Sequence, residues 1–453
     1  MAGGVLAALT LAGAAPATAA GSSSGTTTPT RAGPATGIGH VFVIVLENEG
    51  YAASYETNPN PYLAHTLRSQ GALLSQYFGT GHLSNDNYLA MISGQAPNPA
   101  TQSDCAQYVD FQPSPAVLGP GGQAVGAGCV YPANVPTLAD QLETAGRSWH
   151  GYLQDMGNDL SREPDRCGAP AASFGTGMPD GTQKATATDS YAARHNPFVY
   201  FHSLIDSASC ERNVVPLAHL TDDLASAATT PALSFIVPGL CDDGHDAPCV
   251  GKDVRGSSAG GLTSVDHFLS TWVPRIQASP AFQQDGLIVV TTDEADNSDA
   301  TACCGEQPGP NSPLPGITGP GGGRIGTLVV GRCIQPGGSS ATAYNHYALL
   351  RSLEDVFGIA TGGTDGKGHL GYAAAAGLAP FGPDVFSACP VAATTPVAGG
   401  GGAGSGSGGS ATQPTVASRA LAATGGLPLA PAALVVLVTG ALLTRRLRRK
   451  AVR

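Results

Sequence analysis

Residues 40–46, HVFVIVL, form an almost continuous apolar run that is rich in β-branched side chains. A strand with one face in water alternates polar and apolar residues, whereas a strand buried on both faces does not. Strands of the second kind belong mainly to parallel sheets that are covered by helices on both sides. The run therefore predicts a central strand of an α/β domain.

Other segments repeat this alternation of strands and helices. Pro136 and Gly146 flank one of the predicted helices as start and stop signals. The predicted strands are residues 198–201, 232–237, 287–292 and 327–330, and the predicted helices are 137–144, 265–276 and 344–357. Together they predict an α/β fold with a mostly parallel central sheet and helices on both faces. Ligands of such sheets bind beyond the carboxyl ends of the strands.

Composition limits the classes of function. Hydrophobic residues make up 42% of the 453 residues, which is enough for a sizeable core. The formal net charge of -11 argues against nucleic acid as a partner, because nucleic-acid binding needs a basic surface. A phosphorylated substrate stays compatible with this charge, since a bound metal ion reverses the local field.

Ten cysteines lie in the central part of the chain. In an exported protein an even number of cysteines predicts disulfides, and free or metal-bound thiols are the alternative. No CxxC pair occurs, which argues against a structural zinc site. We expect the adjacent Cys303 and Cys304 to pair with different partners.

The amino-terminal segment has the features of an export signal. Residues 1–20 are mostly small and apolar and contain an A-x-A pattern at 17–19, which predicts a cleavable signal peptide. A low-complexity segment, residues 21–38, follows it. The predicted catalytic domain covers residues 39–389.

The carboxyl-terminal segment predicts attachment to the cell surface. A Gly/Ser-rich linker spans residues 390–420. Residues 421–453 then contain LAATG, an apolar run long enough to cross a bilayer, and a basic tail. This order is similar to a sortase sorting signal of actinobacteria, with cleavage between Thr424 and Gly425, and a plain membrane anchor is the alternative. We expect a cell-wall protein that meets a membrane only through this helix before processing.

Polar clusters follow three of the predicted strands. Glu47 and Asn48 follow the first strand, residues 242–246 (DDGHD) follow the strand at 232–237, and Asp293 and Glu294 follow the strand at 287–292. Each cluster alone is compatible with helix capping, which favours Asp and Asn after strands. Three clusters at three strand ends indicate a metal site.

Ser84 is the candidate nucleophile. It lies in GHLSNDNYLAMISG, where a glycine-containing entry leads into a predicted helix start. Backbone N–H groups at a helix start favour an anion, so they would stabilise a serine alkoxide and receive a phosphate. A capping role for Ser84 is the alternative.

Several segments together resemble the bacterial phosphoesterase family of acid phosphatases and phospholipases C, within the alkaline-phosphatase-like superfamily. The resemblance runs from about residue 40 to about residue 372. It rests on HVFVIVLEN, HLSNDNYLAMISG, TLADQLETAGRSWHGY, HNPFVYF, DDGHD, VVTTDEAD and YNHYALLRSLEDVFG. It implies an alkaline-phosphatase-like fold, and the similarity is greatest to secreted actinobacterial acid phosphatases that act on phosphomonoesters, including phosphatidylinositol 3-phosphate.

The resemblance implies a metal site of five residues, Glu47, Asn48, Ser84, Asp293 and Glu294. Superfamily members with two zinc ions carry nitrogen ligands that this chain lacks in the matching segments. A ligand set made mostly of oxygen favours one divalent ion, Mg²⁺, Mn²⁺ or Ca²⁺, over zinc. Many relatives also have His or Lys where this chain has Glu49.

The resemblance also implies the catalytic residues. Ser84 matches the nucleophile, and His245 and His346 match histidines that line the phosphate pocket. His82 and His195 lie in matching segments with less defined roles, and for His195 a structural hydrogen bond is the alternative.

These features predict a secreted phosphoesterase that hydrolyses phosphomonoesters through a phosphoserine. Its expected partners are a phosphorylated small molecule or phospholipid head group and a sortase. A phospholipase C acting on diesters is one alternative, and a non-catalytic adhesin on the same scaffold is another.

Overall fold

The computed structural model describes residues 37–171, 179–305 and 308–388. The predicted signal peptide, linker and sorting signal and Cys389 lie outside the described residues, as does most of the low-complexity segment. Among the described helices, none combines the length and apolar character needed to cross a membrane.

An eight-stranded sheet forms the centre of the domain, in the order β11-β2-β10-β9-β1-β8-β6-β7. Two small sheets pair β12 with β3 and β4 with β5. The strands are β1 His40–Leu46, β2 Ala72–Leu74, β3 Tyr77–Phe78, β4 Gln112–Leu118, β5 Ala124–Ala127, β6 Trp149–Leu153, β7 Val214–Pro216, β8 Leu233–Val237, β9 Gly286–Thr292, β10 Thr327–Gly331, β11 Gly338–Ser340 and β12 Tyr344–Asn345.

The middle of the large sheet is parallel, as predicted. Strand β1 pairs in parallel with β8 on one side and with β9 on the other. Strand β10 runs antiparallel to both β9 and β2, so the sheet is mixed. The three central strands therefore end at the same edge.

Helices cover both faces of the sheet, which confirms the predicted architecture. Val41, Val43 and Val45 of β1 pack into a core with helices α2, α3 and α9, and the alternate β1 residues pack with α7. The helices are α1 Arg68–Gln70, α2 Ser84–Ser93, α3 Leu138–Thr144, α4 His202–Ile205, α5 Ala208–Asn213, α6 Leu220–Asp223, α7 Gly261–Ala278, α8 Pro280–Asp285 and α9 His346–Phe357. Short 3₁₀ or π turns span Ala52–Glu56, Tyr62–Leu67, Thr101–Ser103, Pro120–Gly122, Ala193–His195, Pro197–Tyr200, Leu217–His219 and Gly371–Ala374.

The predicted strand at 198–201 is wrong, because most of this segment lies in the helical turn Pro197–Tyr200. Pro197 fixes the first helical position, and the Asn196 side chain accepts a hydrogen bond from the backbone N–H of Phe198. All four residues of the turn are buried. A short buried apolar run does not separate a strand from a helical turn, so the sequence pattern was ambiguous here.

The helix predictions hold at their cores and shift at their ends. Thr137 caps α3 in a reciprocal capping box with Asp140. Asn345 caps α9 by accepting a hydrogen bond from the N–H of Ala348, so this helix begins two residues later than predicted.

The disulfide prediction is confirmed, but its detail for the adjacent cysteines is wrong. Cys303 and Cys304 bond to each other, in a turn where Cys304 has a φ of 67°. The other described bridges are Cys105–Cys129, Cys167–Cys210 and Cys241–Cys249, and Cys333 is also disulfide-bonded. No described cysteine is free.

Candidate active site

The three polar clusters meet at the carboxyl edge of the parallel strands. Glu47 follows β1, Asp243 follows β8 and Asp293 follows β9, so they come from adjacent strands. Backbone hydrogen bonds hold the clusters together, from Asp293 N to Leu46 O at 2.9 Å and from Glu47 N to Asp243 O at 2.9 Å. All three carboxylates are fully buried.

Asn48 connects two of these clusters through its backbone. It has a φ of 56°, in the left-handed region that Asn tolerates better than most residues. This turn aims its N–H at Asp293 Oδ1, at 3.0 Å. Its side-chain Nδ2 lies 3.4 Å from Glu47 Oε2.

Ser84 is the first residue of α2, as the sequence predicted, and its side chain faces the carboxylates. Ser84 Oγ donates a hydrogen bond to Glu47 Oε2 at 2.8 Å, and it also interacts with the Asp293 carboxylate. Gly94 ends the helix with a φ of 67°. A Cβ at this glycine would lie 2.5 Å from the carbonyl oxygen of Leu370, so the helix end is fixed against the chain that follows α9.

Tyr88 and His195 complete the surroundings of Glu47. Tyr88 donates its hydroxyl hydrogen to Glu47 Oε1 at 2.7 Å, and its ring stacks on the His195 ring with centroids 5.1 Å apart. His195 Nε2 lies 3.2 Å from Glu47 Oε1, and its Nδ1 lies 3.5 Å from Asp243 Oδ2. His195 is therefore enclosed between two carboxylates.

Burial dominates the electrostatics of this group. It raises the pKa of Glu47 well above its ordinary value, and the neighbouring Asp293 and Asp243 raise it further. Burial raises the pKa of Asp243 to about 8 and the pKa of Asp293 to about 7. Burial also holds the pKa of His195 well below its ordinary value, with Arg194 contributing in the same direction. A cation bound among these acids would favour their charged forms and so offset the effect of burial.

Glu47, His195 and Asp243 could together hold a metal ion, since each offers a ligand atom and these atoms lie within 4.8 Å of one another. Both ring nitrogens of His195, Asp243 Oδ2 and Asp293 Oδ2 are buried without a hydrogen-bond partner. Buried polar atoms without partners are rare in folded proteins, and a metal ion would satisfy these. The residues therefore fit a divalent ion.

The Glu294 side chain has a different partner from Glu47, Asp243 and Asp293. Its carboxylate pairs with Nδ1 of the buried His82, whose Nε2 lies 3.1 Å from the Asp299 carbonyl oxygen. Of the predicted ligands, Glu47, Asn48, Ser84 and Asp293 contact one another. Glu294 is connected to them through the N–H that it donates to Asp293 Oδ1 at 2.6 Å.

His346 lies at the start of α9 with both ring nitrogens engaged. Its Nε2 lies 2.6 Å from the Asp293 carbonyl oxygen, and its Nδ1 lies 3.2 Å from the Tyr77 hydroxyl. Burial lowers the pKa of His346 to about 4, so the ring is neutral at physiological pH. In this arrangement His346 supports the backbone of Asp293.

His245 is the more exposed histidine of the site. Its Nδ1 lies 2.7 Å from Asp246 Oδ1, and this hydrogen bond raises its pKa. Its Nε2 lies 3.3 Å from the Arg194 guanidinium, and its ring centroid is 6.3 Å from that of His195. The Cys241–Cys249 bridge closes the loop that carries His245 and Asp243.

Sequence reasoning did not single out Tyr88, Asp243 or Arg194. Tyr88 stands four residues after Ser84, so on a helix both side chains share one face, and that spacing was an available signal. Asp243 lay in a recognised cluster, but nothing in the sequence separated it from Asp242. The buried side chain of Arg194 approaches the site from a turn far away in sequence.

A hydrolase of phosphate ester bonds is the class of protein that this site and its relatives define. Residues 49–360 match the Phosphoesterase family, and the chain belongs to that family. The family resemblance found in the sequence is thereby confirmed.

Two characterised relatives are similar across most of the domain. The phosphatidylinositol-3-phosphatase of Mycobacterium tuberculosis is 25% identical over 320 residues, which cover 71% of this chain and 77% of that protein. The phosphate-repressible acid phosphatase of Penicillium chrysogenum is 26% identical over 297 residues. This match covers 65% of the chain and 53% of the fungal protein, so the chain spans about half of that relative.

Solved structures with a similar fold include a protein of the alkaline phosphatase superfamily from Vibrio parahaemolyticus. Its TM-score is 0.40 at 15% identity, with 72% of this chain and 68% of that chain covered. The phosphonate monoester hydrolase of Agrobacterium radiobacter gives a TM-score of 0.37 at 11% identity, with 78% of each chain covered.

Proposed function

We propose that this protein is a phosphomonoesterase in which Ser84 is the nucleophile. The observation that carries the proposal is the hydrogen bond from Ser84 Oγ to the buried Glu47, with Ser84 at the start of α2. The names of the characterised relatives, a phosphatidylinositol-3-phosphatase and an acid phosphatase, support the substrate class.

The reaction transfers the phosphoryl group twice. Ser84 Oγ loses its proton toward Glu47 and forms a bond to phosphorus, while the bond from phosphorus to the leaving oxygen breaks. His245 donates a proton to that oxygen, because it is partly exposed and its pKa is raised. Water then attacks the phosphoserine and gives a proton to His245, while Glu47 returns its proton to Ser84 Oγ as the bond from that oxygen to phosphorus breaks, which releases phosphate and restores the Ser84 hydroxyl. His346, neutral and engaged at both nitrogens, keeps the Asp293 backbone in place.

A divalent ion would be held by Glu47, Asp243 and His195, with Asp293 and Asn48 close by. When bound, it supplies positive charge that favours the serine alkoxide and neutralises the transferring phosphoryl oxygens. Carboxylates and an amide favour Mg²⁺, Mn²⁺ or Ca²⁺, and the imidazole of His195 adds a nitrogen that the predicted ligand set did not contain. Arg194, whose guanidinium contacts His245 Nε2, would orient the phosphate oxygens.

Export to the cell surface is part of the proposal. Disulfides persist in oxidising compartments, and the described domain has no free cysteine. The signal peptide and the LAATG sorting signal remain sequence predictions, and with them attachment to the cell wall by a sortase. A wall fraction that releases the protein with muramidase but not with detergent would support attachment, and extraction by detergent alone would reject it.

The experiment compares Ser84→Ala with Ser93→Ala in the full chain. Both serines lie in α2, but Ser93 Oγ donates to Leu89 O at the other end of the helix. We expect Ser84→Ala to lower kcat on p-nitrophenyl phosphate by about a thousandfold or more, because the covalent route is lost.

Rapid quench with ³²P-labelled p-nitrophenyl phosphate gives the direct readout. The label should be trapped on Ser84 in the wild-type protein and in Ser93→Ala. Trapped phosphate on a histidine, or near-normal turnover by Ser84→Ala, would reject the mechanism. The absence of turnover by the wild-type protein with any divalent ion would favour the adhesin instead.

A further inference from the structure

Arg194, which would orient the phosphate oxygens, lies in the turn Ala193–His195 with its side chain buried. Its Nη1 donates to the Gln183 carbonyl oxygen at 2.8 Å, and its Nη2 lies 3.3 Å from His245 Nε2. Its Nε is buried without a hydrogen-bond partner, and Asp104 Oδ2 lies 3.8 Å from it. The Asp104 carboxylate is therefore a negative charge that faces the Nε edge of the guanidinium.

The other oxygen of Asp104 holds the start of the helix that carries the nucleophile. Asp104 Oδ1 accepts a hydrogen bond from the backbone N–H of Asn85 at 3.1 Å, and Asn85 directly follows Ser84 in α2. The Asn85 side chain in turn donates to the Arg194 carbonyl oxygen at 3.0 Å. Because Asp104 takes this N–H, a phosphate beside Ser84 needs compensating charge from other groups, of which Arg194 is one.

The backbone around Asp104 is held by several contacts. Asp104 ends the turn Thr101–Ser103 with a φ of 52°, and the next residue, Cys105, is disulfide-bonded. Gln183 Nε2 donates to the Asp104 carbonyl oxygen at 3.0 Å, so the residue that accepts from Arg194 also holds Asp104. The carboxylate is therefore a fixed point against which the guanidinium is oriented.

The charge of Arg194 acts on Asp104 and on the candidate metal site. Burial raises the pKa of Asp104, and Arg194 opposes this effect. Arg194 likewise opposes the effect of burial on the pKa of Glu47 and of Asp243. Coulombic attraction falls with distance, so Arg194 acts on these carboxylates because its side chain is held close to them.

We propose that Asp104 is a positioning residue that orients Arg194 for binding of the substrate phosphate. The inference rests on the proposed function and deepens it by naming the residue that orients Arg194. A guanidinium binds phosphate well when its fork of N–H groups faces the oxygens. With its Nε edge toward Asp104 and its Nη1 on Gln183, Arg194 keeps Nη2 on the side of the site where His245 lies. Without the Asp104 charge, this flexible side chain would lose its pre-organisation.

Asp104 also carries a negative charge that by itself would repel a phosphate. Removing this charge therefore has two effects of opposite sign, a loss of orientation and a relief of repulsion. Arg194 lies within ion-pair distance of Asp104 and compensates its charge. We therefore expect the loss of orientation to be the larger effect, so that phosphate binds more weakly.

The experiment measures kcat and KM for p-nitrophenyl phosphate and the inhibition constant of inorganic phosphate, in the full chain with Mg²⁺. Asp104→Asn is the main variant, because Asn tolerates the left-handed φ of this position and keeps an oxygen for the Asn85 N–H. We expect KM and the inhibition constant to rise about tenfold, with kcat changed by less than about threefold. Asp104→Gly also suits this φ but removes both oxygens, so it should raise both constants and lower kcat as well.

A double-mutant cycle with Arg194→Met tests whether Asp104 acts through Arg194. Arg194→Met should raise KM and the inhibition constant at least as much as Asp104→Asn does. Adding Asp104→Asn to it should change them by less than about twofold, whereas independent effects would multiply. Asp266→Asn is the matched control, because Asp266 is also a buried carboxylate that accepts backbone N–H groups, and it lies on α7. It should lower the melting temperature and leave both constants unchanged.

Isothermal titration of inorganic phosphate into the protein with Mg²⁺ needs no turnover, so it separates the two proposals. A wild-type protein that binds phosphate but hydrolyses no phosphomonoester would reject the proposed function, and weaker phosphate binding by Asp104→Asn would still support the positioning role. Unchanged or tighter phosphate binding by Asp104→Asn would overturn that role, and so would effects that multiply in the cycle or a control that behaves like Asp104→Asn. A wild-type protein that neither binds phosphate nor hydrolyses a phosphomonoester would overturn both.

Discussion

Tyr88 donates its hydroxyl hydrogen to Glu47 Oε1 at 2.7 Å, one helical turn after the Ser84 hydroxyl that donates to the other oxygen of the same carboxylate. The two donors, four residues apart on α2, fix the carboxylate plane from one side. Glu47 can therefore present its remaining lone pairs toward His195 and toward an ion that Asp243 and His195 would also hold.

Replacing Tyr88 with phenylalanine removes this donor and keeps the ring that stacks on His195. We expect kcat to fall about tenfold and the affinity for the divalent ion to fall with it, since a ligand carboxylate loses an orienting partner. The free energy of unfolding should fall by about 1–2 kcal/mol. Metal titration followed by activity measures the first effect, and chemical denaturation measures the second.

Tyr152→Phe is the matched control for this variant. Tyr152 is also buried and donates to a carboxylate, Asp223, but it lies on strand β6 and packs in the core on the other face of the sheet from Tyr88. It should lose similar stability and keep its metal affinity. Equal metal affinity in both variants would show that Tyr88 has only a structural role.

Long apolar patterns were sufficient to predict the frame of the fold. Strand β1 has no exposed face, so its sequence required helices on both sides, and the pattern did not depend on distant contacts. The prediction of a strand at 198–201 failed because the four buried residues of the turn Pro197–Tyr200 fit a strand pattern equally well. The sequence does contain two local signals for a helical turn, Pro197 and the Asn196 cap. The apolar run that follows them led to the prediction of a strand instead.

The part of the candidate site that directly follows the central strands was predictable from the sequence. Glu47 and Asp293 lie close together because they follow β1 and β9, which are adjacent parallel strands of the sheet. His195 was a different case, because the turn Ala193–His195 reaches the site from outside the sheet. Only tertiary packing places it between Glu47 and Asp243.

Asp242 and Asp243 offer a test within one dipeptide. Asp243 faces His195, whereas Asp242 accepts hydrogen bonds from Gln154 Nε2 and from the backbone N–H of Val254. Asp243→Asn should weaken binding of the divalent ion about tenfold or more and lower kcat accordingly. Asp242→Asn should lose stability and keep metal affinity. Isothermal titration with Mn²⁺ distinguishes the two, and equal losses would exclude Asp243 as a ligand.

The Cys241–Cys249 bridge should matter for activity more than for stability. It closes a short loop that carries Asp243 and His245, whereas Cys167–Cys210 closes a longer loop. In the chain-entropy view a longer loop contributes more stability, so removing Cys167–Cys210 should cost more unfolding free energy. Replacing Cys241 and Cys249 with serine should instead lower kcat by about tenfold, since the loop loses its fixed geometry. Kinetics and calorimetry on the two double-serine variants compare these effects, and the opposite ranking of activity would contradict the assignment of the loop.

The stability of the metal-free protein should fall as pH rises from about 5 to about 8. Burial raises the pKa of Asp243 to about 8 and of Asp293 to about 7, both above the values near 4 that unfolded Asp residues have. Between these limits the folded state binds more protons than the unfolded state, so the free energy of unfolding decreases with pH. The stabilisation from these groups is complete below the unfolded pKa and is lost as pH passes the folded pKa.

A divalent ion should reverse this trend, because it binds the deprotonated carboxylates of the folded state. Melting temperatures measured after chelation should therefore decline across this pH range, and saturating Mn²⁺ or Mg²⁺ should raise them most at pH 8 and least at pH 5. Asp243→Asn removes one of the titrating groups, so its metal-free protein should lose less stability between pH 5 and pH 8 than the wild type. A metal-induced rise in melting temperature that is the same at both pH values, in wild type and variant alike, would mean that the ion binds elsewhere.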